Sequence, residues 1–192
     1  MKILVTTHNS NGSSLPIATT VSADTALTRS DKPLFLPTHI AAGFNATPAI
    51  AWQVGRVGKC IARRFAWRYC HAVAPAMLVT ACDFTVATPF EPTAAMASAF
   101  DGALMLGDFS PVDADSETLV EATVNGNPCG GGSPRDLKLD APGLIEHLSR
   151  FFTLKTGDII VSDVTTAQTP LAQGDTVEMI LDGTPALTVR VK

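Results

Sequence analysis

The chain has 192 residues and a formal net charge of -4, with 46% hydrophobic and 17% charged residues. This composition excludes a disordered chain, and the length suits a globular protein with a large hydrophobic core. No run of about 20 apolar residues is present, so we predict no membrane span and no membrane partner. No long run of Lys or Arg is present either, which argues against a nucleic-acid partner.

The first residues predict a short buried strand followed by an irregular segment. Residues 1–7 read MKILVTT, and this apolar run is too short to be the core of a signal peptide, so we expect a cytoplasmic protein. Residues 8–31 are rich in Ser, Thr and Asn and lack a steady periodicity. We therefore treat residues 1–24 as an N-terminal strand and irregular segment packed on the main domain, which spans residues 25–192.

The middle of the chain predicts a strand, a helix and a second strand. Residues 50–54 have the composition of a strand, and residues 59–73 carry apolar side chains at helical spacing. We expect this amphipathic helix to end at Pro75, because proline cannot continue a helix. Residues 77–84 are almost wholly apolar, which is typical of a strand buried on both faces.

A cluster of basic residues accompanies the predicted helix. Its members are Arg56, Lys59, Arg63, Arg64 and Arg68. The simpler interpretation is the solvated face of a helix, and the alternative is a patch that binds an anion or a partner.

The last third of the chain predicts hairpins around a second helix. Residues 119–124 alternate in polarity and lead into Asn125-Gly126, a strong hairpin signal. Asp140 is suited to cap the N-terminus of a helix that has Pro142 in its first turn. Three further β runs follow at residues 158–162, 177–181 and 187–191, with Asp182-Gly183 as a turn between the last two. With 14 Gly and 13 Pro, these elements predict a mainly β (α+β) fold.

Several segments resemble the fumarylacetoacetate hydrolase (FAH) family. Residues 144–161, LIEHLSRFFTLKTGDIIV, are similar to a helix-then-strand segment of that family, and residues 173–191 are similar to its closing hairpin. Three upstream segments agree: residues 55–69, Asp83-Phe84-Thr85, and Phe100-Asp101-Gly102 followed by Gly107. The resemblance covers roughly residues 25–192. It implies an FAH-like mixed β-sandwich roll with two or three short helices, and a homodimer.

The resemblance also implies a metal-dependent chemistry. Members of this family use Mg²⁺ or Mn²⁺ to hydrolyse, isomerise or decarboxylate small 2-oxo or β-diketo acids. The cation would absorb the negative charge that develops on an enolate. The family holds the metal with a Glu-x-Glu pair on one strand and an Asp on another. In this chain the two Glu positions fall on Thr47 and Ala49, and the Asp position falls on Asp83. Pro48 lies between the first two, which argues against a regular central strand there.

Other active-site positions implied by the resemblance are replaced as well. The family's lysine before Phe-Asp-Gly falls on Ser98, and the Arg-Asp pair after the aspartate strand falls on Ala87-Thr88. Its Gly-Thr-Pro loop reads Asp163-Val164-Thr165. Its His-bearing N-terminal loop has no clear match: Asn9 aligns near it, and His8 would take its place only by coincidence. We therefore predict a family fold that has lost its usual chemistry, with no cofactor expected.

A rebuilt site is the alternative. Asp83 and Asp163 would then hold Mg²⁺ or Mn²⁺, since Mg²⁺ binds through only one or two carboxylates plus water and substrate. The residues expected to line this pocket are Asp101, Gly102, Val164 and Thr165. Trp52 is interpreted as a core residue, or as a side chain that fills the former pocket. Three functions stay open: a non-catalytic or altered member that acts as a structural or regulatory partner, an active hydrolase, isomerase or decarboxylase, and a module that binds a small carboxylate.

Overall fold

The structure of the protein is a computed structural model that describes residues 1–30, 32–84, 94–112 and 118–192. The strands are β1 (Ile3–Thr7), β2 (Ala18–Ser22), β3 (Leu27–Arg29), β4 (Ala41–Val54), β5 (Cys70–Phe84), β6 (Leu104–Leu106), β7 (Ser110–Pro111), β8 (Val120–Val124), β9 (Asn127–Gly132), β10 (Ile159–Asp163), β11 (Thr169–Pro170), β12 (Thr176–Leu181) and β13 (Thr184–Arg190). The α-helices are α1 (Ala94–Ala97) and α2 (Ala141–Phe151), and 3-10 helices cover Asp24–Ala26, Arg63–Tyr69 and Pro134–Asp136.

Two sheets account for these strands. In the described residues, nine strands form a large sheet with the path β2-β1-β10-β4-β5-β6-β3, in which β11 also pairs with β4 and β7 with β5. The first strand therefore lies inside this sheet, parallel to β10 and antiparallel to β2. The other four described strands form an antiparallel sheet in the order β13-β12-β8-β9.

The large sheet buries both of its faces. Alternation along β4 sends successive side chains to opposite faces. On one face, Ile50 and Trp52 pack in a cluster that also contains Met179 of the four-stranded sheet and Leu144 of α2. On the other face, Ala51 packs in a second cluster with the small or aliphatic residues of β1, β5, β6 and β10. The prediction of a mainly β (α+β) fold with a few short helices is confirmed.

The helix predicted over residues 59–73 is wrong at both ends. Only Arg63–Tyr69 is helical, as a 3-10 helix, and Cys70 already belongs to β5, opposite Val54 of β4. The long antiparallel pairing with β4 takes up the chain from Cys70 onward. Tertiary pairing has thus overridden a local helical periodicity.

Pro48 lies inside the long strand β4, and Pro75 lies inside the long strand β5. Two expectations are therefore wrong: that Pro75 ends a helix, and that Pro48 is incompatible with a regular central strand. The carbonyl of Pro48 accepts a hydrogen bond from the N–H of Val164 (3.1 Å), on the side where the pairing with β10 ends and that with β11 begins. The carbonyl of Pro75 accepts from the N–H of Gly107 (2.9 Å), in the corresponding gap between β6 and β7. Proline has no N–H to donate, and each of these prolines lies beside a break in the hydrogen-bond ladder to the neighbouring strands. A strand tolerates a proline at such a break.

The turn and cap predictions are confirmed. Asn125-Gly126 and Asp182-Gly183 each connect two antiparallel strands with both residues in the left-handed region, φ between +51° and +76°. This geometry is that of a type I′ hairpin turn. The Asp140 carboxylate accepts a hydrogen bond from the N–H of Gly143 (2.9 Å) and so caps α2. None of the helices in the described ranges is long and apolar enough to cross a membrane.

Candidate functional site

A cavity of about 490 Å³ lies against the large sheet. Four strands of this sheet each contribute a threonine to the cavity wall: Thr7 from β1, Thr20 from β2, Thr47 from β4 and Thr80 from β5. Asp163, the last residue of β10, also lines the cavity, and the loop after β1 adds His8. The cavity thus forms where side chains from sequence-distant segments meet on one sheet face.

The strand register shows which residue faces the first expected glutamate position. Thr47 pairs with Leu78 of β5, and both side chains line the cavity. Ala49, the second expected position, comes two residues later on the same face, is fully buried, and pairs with Ala76. These neighbouring positions hold one hydroxyl and three hydrocarbon side chains, so they offer no carboxylate to a cation.

Asp83 is not among the described residues that line this cavity. It is exposed near the end of β5, in the left-handed region with φ +53°. Its carboxylate lies beside Gly43, where an added Cβ would be 2.9 Å from Asp83 Oδ2. The β5 residue that faces Thr47 is Leu78, five positions before Asp83. Leu78, and not Asp83, is therefore the β5 residue that shares the cavity wall with Thr47.

Asp163 lines the cavity, but it is engaged by the backbone. Its side chain is buried at the end of β10, where Oδ2 accepts a hydrogen bond from the N–H of His8 (2.7 Å) and Oδ1 accepts one from the N–H of Asn9 (3.0 Å). Burial raises the pKa of the Asp163 carboxyl above its ordinary value, against the opposing effect of these hydrogen bonds and of the nearby His8. Asp163 therefore fixes the loop that follows β1.

The other residues predicted to line the pocket divide between the cavity and other places. Thr165 lines the cavity, and Val164 is buried in the hydrophobic cluster on the opposite face of the sheet. Asp101 is exposed, and Gly102 has φ +88° in a turn where its N–H donates to the carbonyl of Thr25. Neither Asp101 nor Gly102 is among the described lining residues of the cavity.

Three further predicted positions have distinct outcomes. Ser98, at the expected lysine position, does line the cavity. Trp52 is 2% exposed and packs on the face opposite Thr47, which confirms its interpretation as a core residue and not as a filler of the former pocket. Ala87-Thr88 lies outside the described residues.

Sequence reasoning missed most of the cavity wall. The sequence carries no signal that Thr7, Thr20, Leu78 and Thr80 line one cavity, and it offers His8 only as a coincidental match. The spacing of Leu78 and Thr80 does place them on one face of a strand. Their meeting with Thr47 depends on the register between β4 and β5, which local sequence does not reveal.

The residues present do not fit a resident Mg²⁺ or Mn²⁺ ion. Such hard cations require oxygen ligands, usually including carboxylates with free lone pairs directed at the metal. Among the described residues, no group of three His, Cys, Asp or Glu side chains is placed to hold a metal ion. Asp163 is the only carboxylate among the described lining residues, and both of its oxygens accept backbone hydrogen bonds.

Comparisons with known sequences identify relatives over part of the chain. Oxaloacetate tautomerase YcgM of Escherichia coli (strain K12) is 35% identical over 99 residues, which cover 50% of this chain and 45% of that protein. The 4-hydroxyphenylacetate degradation bifunctional isomerase/decarboxylase of Salmonella dublin is 34% identical over 88 residues, which cover 45% of this chain and 20% of that protein. The matches thus span less than half the length of either relative.

Solved structures share the fold over the whole chain. A fumarylacetoacetate hydrolase family protein from Yersinia pestis CO92 has a TM-score of 0.84 at 23% identity, covering 100% of this chain and 93% of that one. Fumarylpyruvate hydrolase from Pseudomonas aeruginosa, solved with Mn²⁺ and pyruvate, has a TM-score of 0.83 at 15% identity, covering 100% and 89%. These likenesses confirm the FAH-like mixed β-sandwich roll. A family profile described as "Fumarylacetoacetate (FAA) hydrolase C-terminal" matches residues 9–192, and the chain therefore belongs to the fumarylacetoacetate hydrolase family.

Proposed function

We propose that this chain is an FAH-family protein that has lost the family's metal-dependent chemistry and acts as a non-catalytic or altered member. The observation that carries the proposal is the composition of the cavity wall. Thr47 and Leu78 face each other where carboxylates would be needed, and Asp163 is engaged by the N–H groups of His8 and Asn9. Among the described residues that line the cavity, a cation would find Asp163 as its one anionic ligand, and that carboxylate already accepts two backbone hydrogen bonds.

Loss of the metal would remove the main stabiliser of the reaction. Hydrolysis, isomerisation or decarboxylation of an oxo acid passes through an enolate, whose charge needs a cation or strong hydrogen-bond donors. The described residues that line the cavity include no Lys and no Arg. The undescribed segments, residue 31, residues 85–93 and residues 113–117, contain no Lys, Arg or His in the sequence. They cannot supply the missing positive charge.

An active enzyme is the second candidate, because the matched relatives include an oxaloacetate tautomerase and a bifunctional isomerase/decarboxylase. That candidate requires a metal site made from other ligands. Mg²⁺ and Mn²⁺ would serve there as Lewis acids toward the substrate oxygens.

Turnover assays separate the two candidates. Tautomerisation and decarboxylation of oxaloacetate are followed spectrophotometrically with the purified chain, with and without Mg²⁺ or Mn²⁺, and with the E. coli tautomerase as a positive control. We expect rates equal to the buffer-plus-metal background. Metal-dependent turnover that disappears in Asp163→Ala, at unchanged far-UV circular dichroism, would overturn the proposal.

A further inference from the structure

We infer that the cavity binds a small uncharged molecule rich in hydroxyl groups, such as a polyol or a monosaccharide, and not an oxo acid. This inference rests on the proposed function, since it assumes that no metal ion occupies the cavity. It concerns the residues that remain there and the chemistry that they can recognise.

Four hydroxyl groups converge on the cavity without a protein partner. The side chains of Thr7, Thr20, Thr47 and Thr80 line it from four different strands. In the part of the chain that the structure describes, none of these hydroxyls makes a side-chain hydrogen bond, whereas the Thr165 hydroxyl accepts one from the N–H of Ala167 (3.1 Å). A hydroxyl both donates and accepts, so such a wall matches ligand hydroxyls of either orientation.

The charge of the wall opposes a carboxylate ligand. Its described members include one carboxylate, Asp163, and one imidazole, His8, but no Lys or Arg. Lys138 is not among the described lining residues, and its ammonium donates to the carbonyls of His8 (2.8 Å) and Leu15 (2.9 Å). The undescribed segments carry no basic residue in the sequence and add only acidic charges. A buried anionic ligand needs a counter-charge, and the described wall offers neither Lys nor Arg, so an uncharged ligand is favoured.

The size of the cavity agrees with a small ligand. Its volume of about 490 Å³ lies within the range of small-molecule sites in proteins. The apolar side chains of Leu15, Ala18 and Leu78 lie among the hydroxyls and offer hydrocarbon contacts to the ligand's carbon skeleton.

Isothermal titration of the purified chain in metal-free buffer tests the inference. The probes are xylitol and glucose as uncharged polyhydroxyl compounds, and pyruvate and oxaloacetate as anions. We expect saturable binding of at least one uncharged probe and none of the anions. Thr47→Val and Thr80→Val should each weaken that binding about fivefold, and the double variant should weaken it about thirtyfold, since each removes one hydrogen bond of about 1 kcal/mol. Thr188→Val, on the exposed side of β13, is the matched control and should leave binding unchanged.

Three results would overturn the inference: no saturable binding of either uncharged probe, tighter binding of pyruvate than of both uncharged probes, or unchanged affinity in the Thr47→Val/Thr80→Val double variant. Repeating the pyruvate titration with Mn²⁺ shows which idea has failed. Pyruvate binding that appears only with Mn²⁺ contradicts the proposed loss of the metal site as well. Pyruvate binding without metal contradicts only the ligand class.

Discussion

At the scale of single residues, Asp158 holds the start of β1 beside the start of β10. Its carboxylate accepts hydrogen bonds from the N–H groups of Lys2 (3.0 Å) and Lys155 (2.7 Å) and pairs with the Lys2 ammonium. Burial raises the pKa of the Asp158 carboxyl, but the hydrogen bonds and charge of Lys2 outweigh it, so the pKa lies below its ordinary value. A lowered pKa stabilises the fold above the unfolded-state pKa, and this stability is lost as the pH falls through the folded value.

We expect Asp158→Ala to lower the free energy of unfolding by about 3 kcal/mol at pH 7, because the N–H groups of Lys2 and Lys155 lose their buried acceptor and the Lys2 ammonium loses its partner. The deficit should shrink as the pH falls below about 4, where the wild-type carboxyl also becomes protonated. Urea unfolding at pH 7 and pH 3 measures both values. Asp101→Ala, at an exposed position, is the control and should change little. A deficit of the same size at both pH values would contradict the assignment.

Asp163 shows the opposite pH behaviour. Its pKa is raised, chiefly by burial, so the folded protein holds this proton to a higher pH than the unfolded chain does. Its contribution to stability is therefore complete below the unfolded-state pKa and is lost as the pH rises through the folded value. Its position beneath His8 and Asn9 makes it a support for the cavity wall.

Removing this support should loosen the loop after β1. We expect Asp163→Ala to destabilise the protein by about 2 kcal/mol, because the buried N–H of Asn9 and the partly buried N–H of His8 lose their acceptor. Amide hydrogen exchange of His8 and Asn9 should accelerate more than that of Ile159, which lies deeper in the same sheet. Equal acceleration at all three amides would show that the variant acts through global unfolding and not through this loop.

At the scale of elements, the two type I′ turns make a direct prediction about backbone conformation. Gly126 and Gly183 both have φ +76°, and no atom lies within 4 Å of a Cβ added to either. Replacement by Ala therefore adds backbone strain without a steric clash, and should cost about 1 kcal/mol. Gly12→Ala is the control, because Gly12 lies outside the left-handed region and an added Cβ meets its neighbours at an ordinary 3.6 Å. Thermal unfolding should show a lower Tm for Gly126→Ala and Gly183→Ala, and a contrary order would refute this explanation.

The same elements show how far the sequence predicts the fold. Hairpin turns, the Asp140 cap and the strand runs near the C-terminus follow from local chemistry, and the structure places them as predicted. The structure of residues 59–73 does not follow from local chemistry. Their helical periodicity competes with the long pairing of β5 to β4, which begins at Cys70. Pro48 and Pro75 are compatible with their strands only because the adjacent ladders break beside them, a fact that needs the whole sheet.

At the scale of the whole molecule, the candidate site was less predictable than the fold. Thr47, Ala49 and Ser98 were identified as replaced positions through the family resemblance. The assignment of Asp83 as a ligand depended on a match in linear sequence, whereas the register of β4 and β5 places Leu78 opposite Thr47. The homodimer implied by the resemblance stays a prediction, which light scattering of the purified chain would test.

Thr47 and Leu78, which face each other on β4 and β5, also predict how a cation site could be restored. Side chains directly opposite on paired strands have Cβ atoms about 5 Å apart, so two carboxylates there reach a common cation. We expect Thr47→Glu/Leu78→Asp to bind Mn²⁺ more tightly than wild type, because Mg²⁺-like ions need as few as one or two carboxylates plus water. The control pair Glu121→Gln/Thr123→Glu, which shifts a carboxylate on β8 of the other sheet, should gain nothing. Equal affinity of the restored variant and wild type, both folded, would contradict the assigned geometry.

The most direct test of the central claim is a titration of the wild-type chain with Mn²⁺, followed by the electron paramagnetic resonance signal of free Mn²⁺. Because the described cavity residues offer no available pair of carboxylates, the account predicts no saturable site at micromolar Mn²⁺. One micromolar site per chain that disappears in Asp163→Ala would contradict it and would favour an active metal-dependent enzyme.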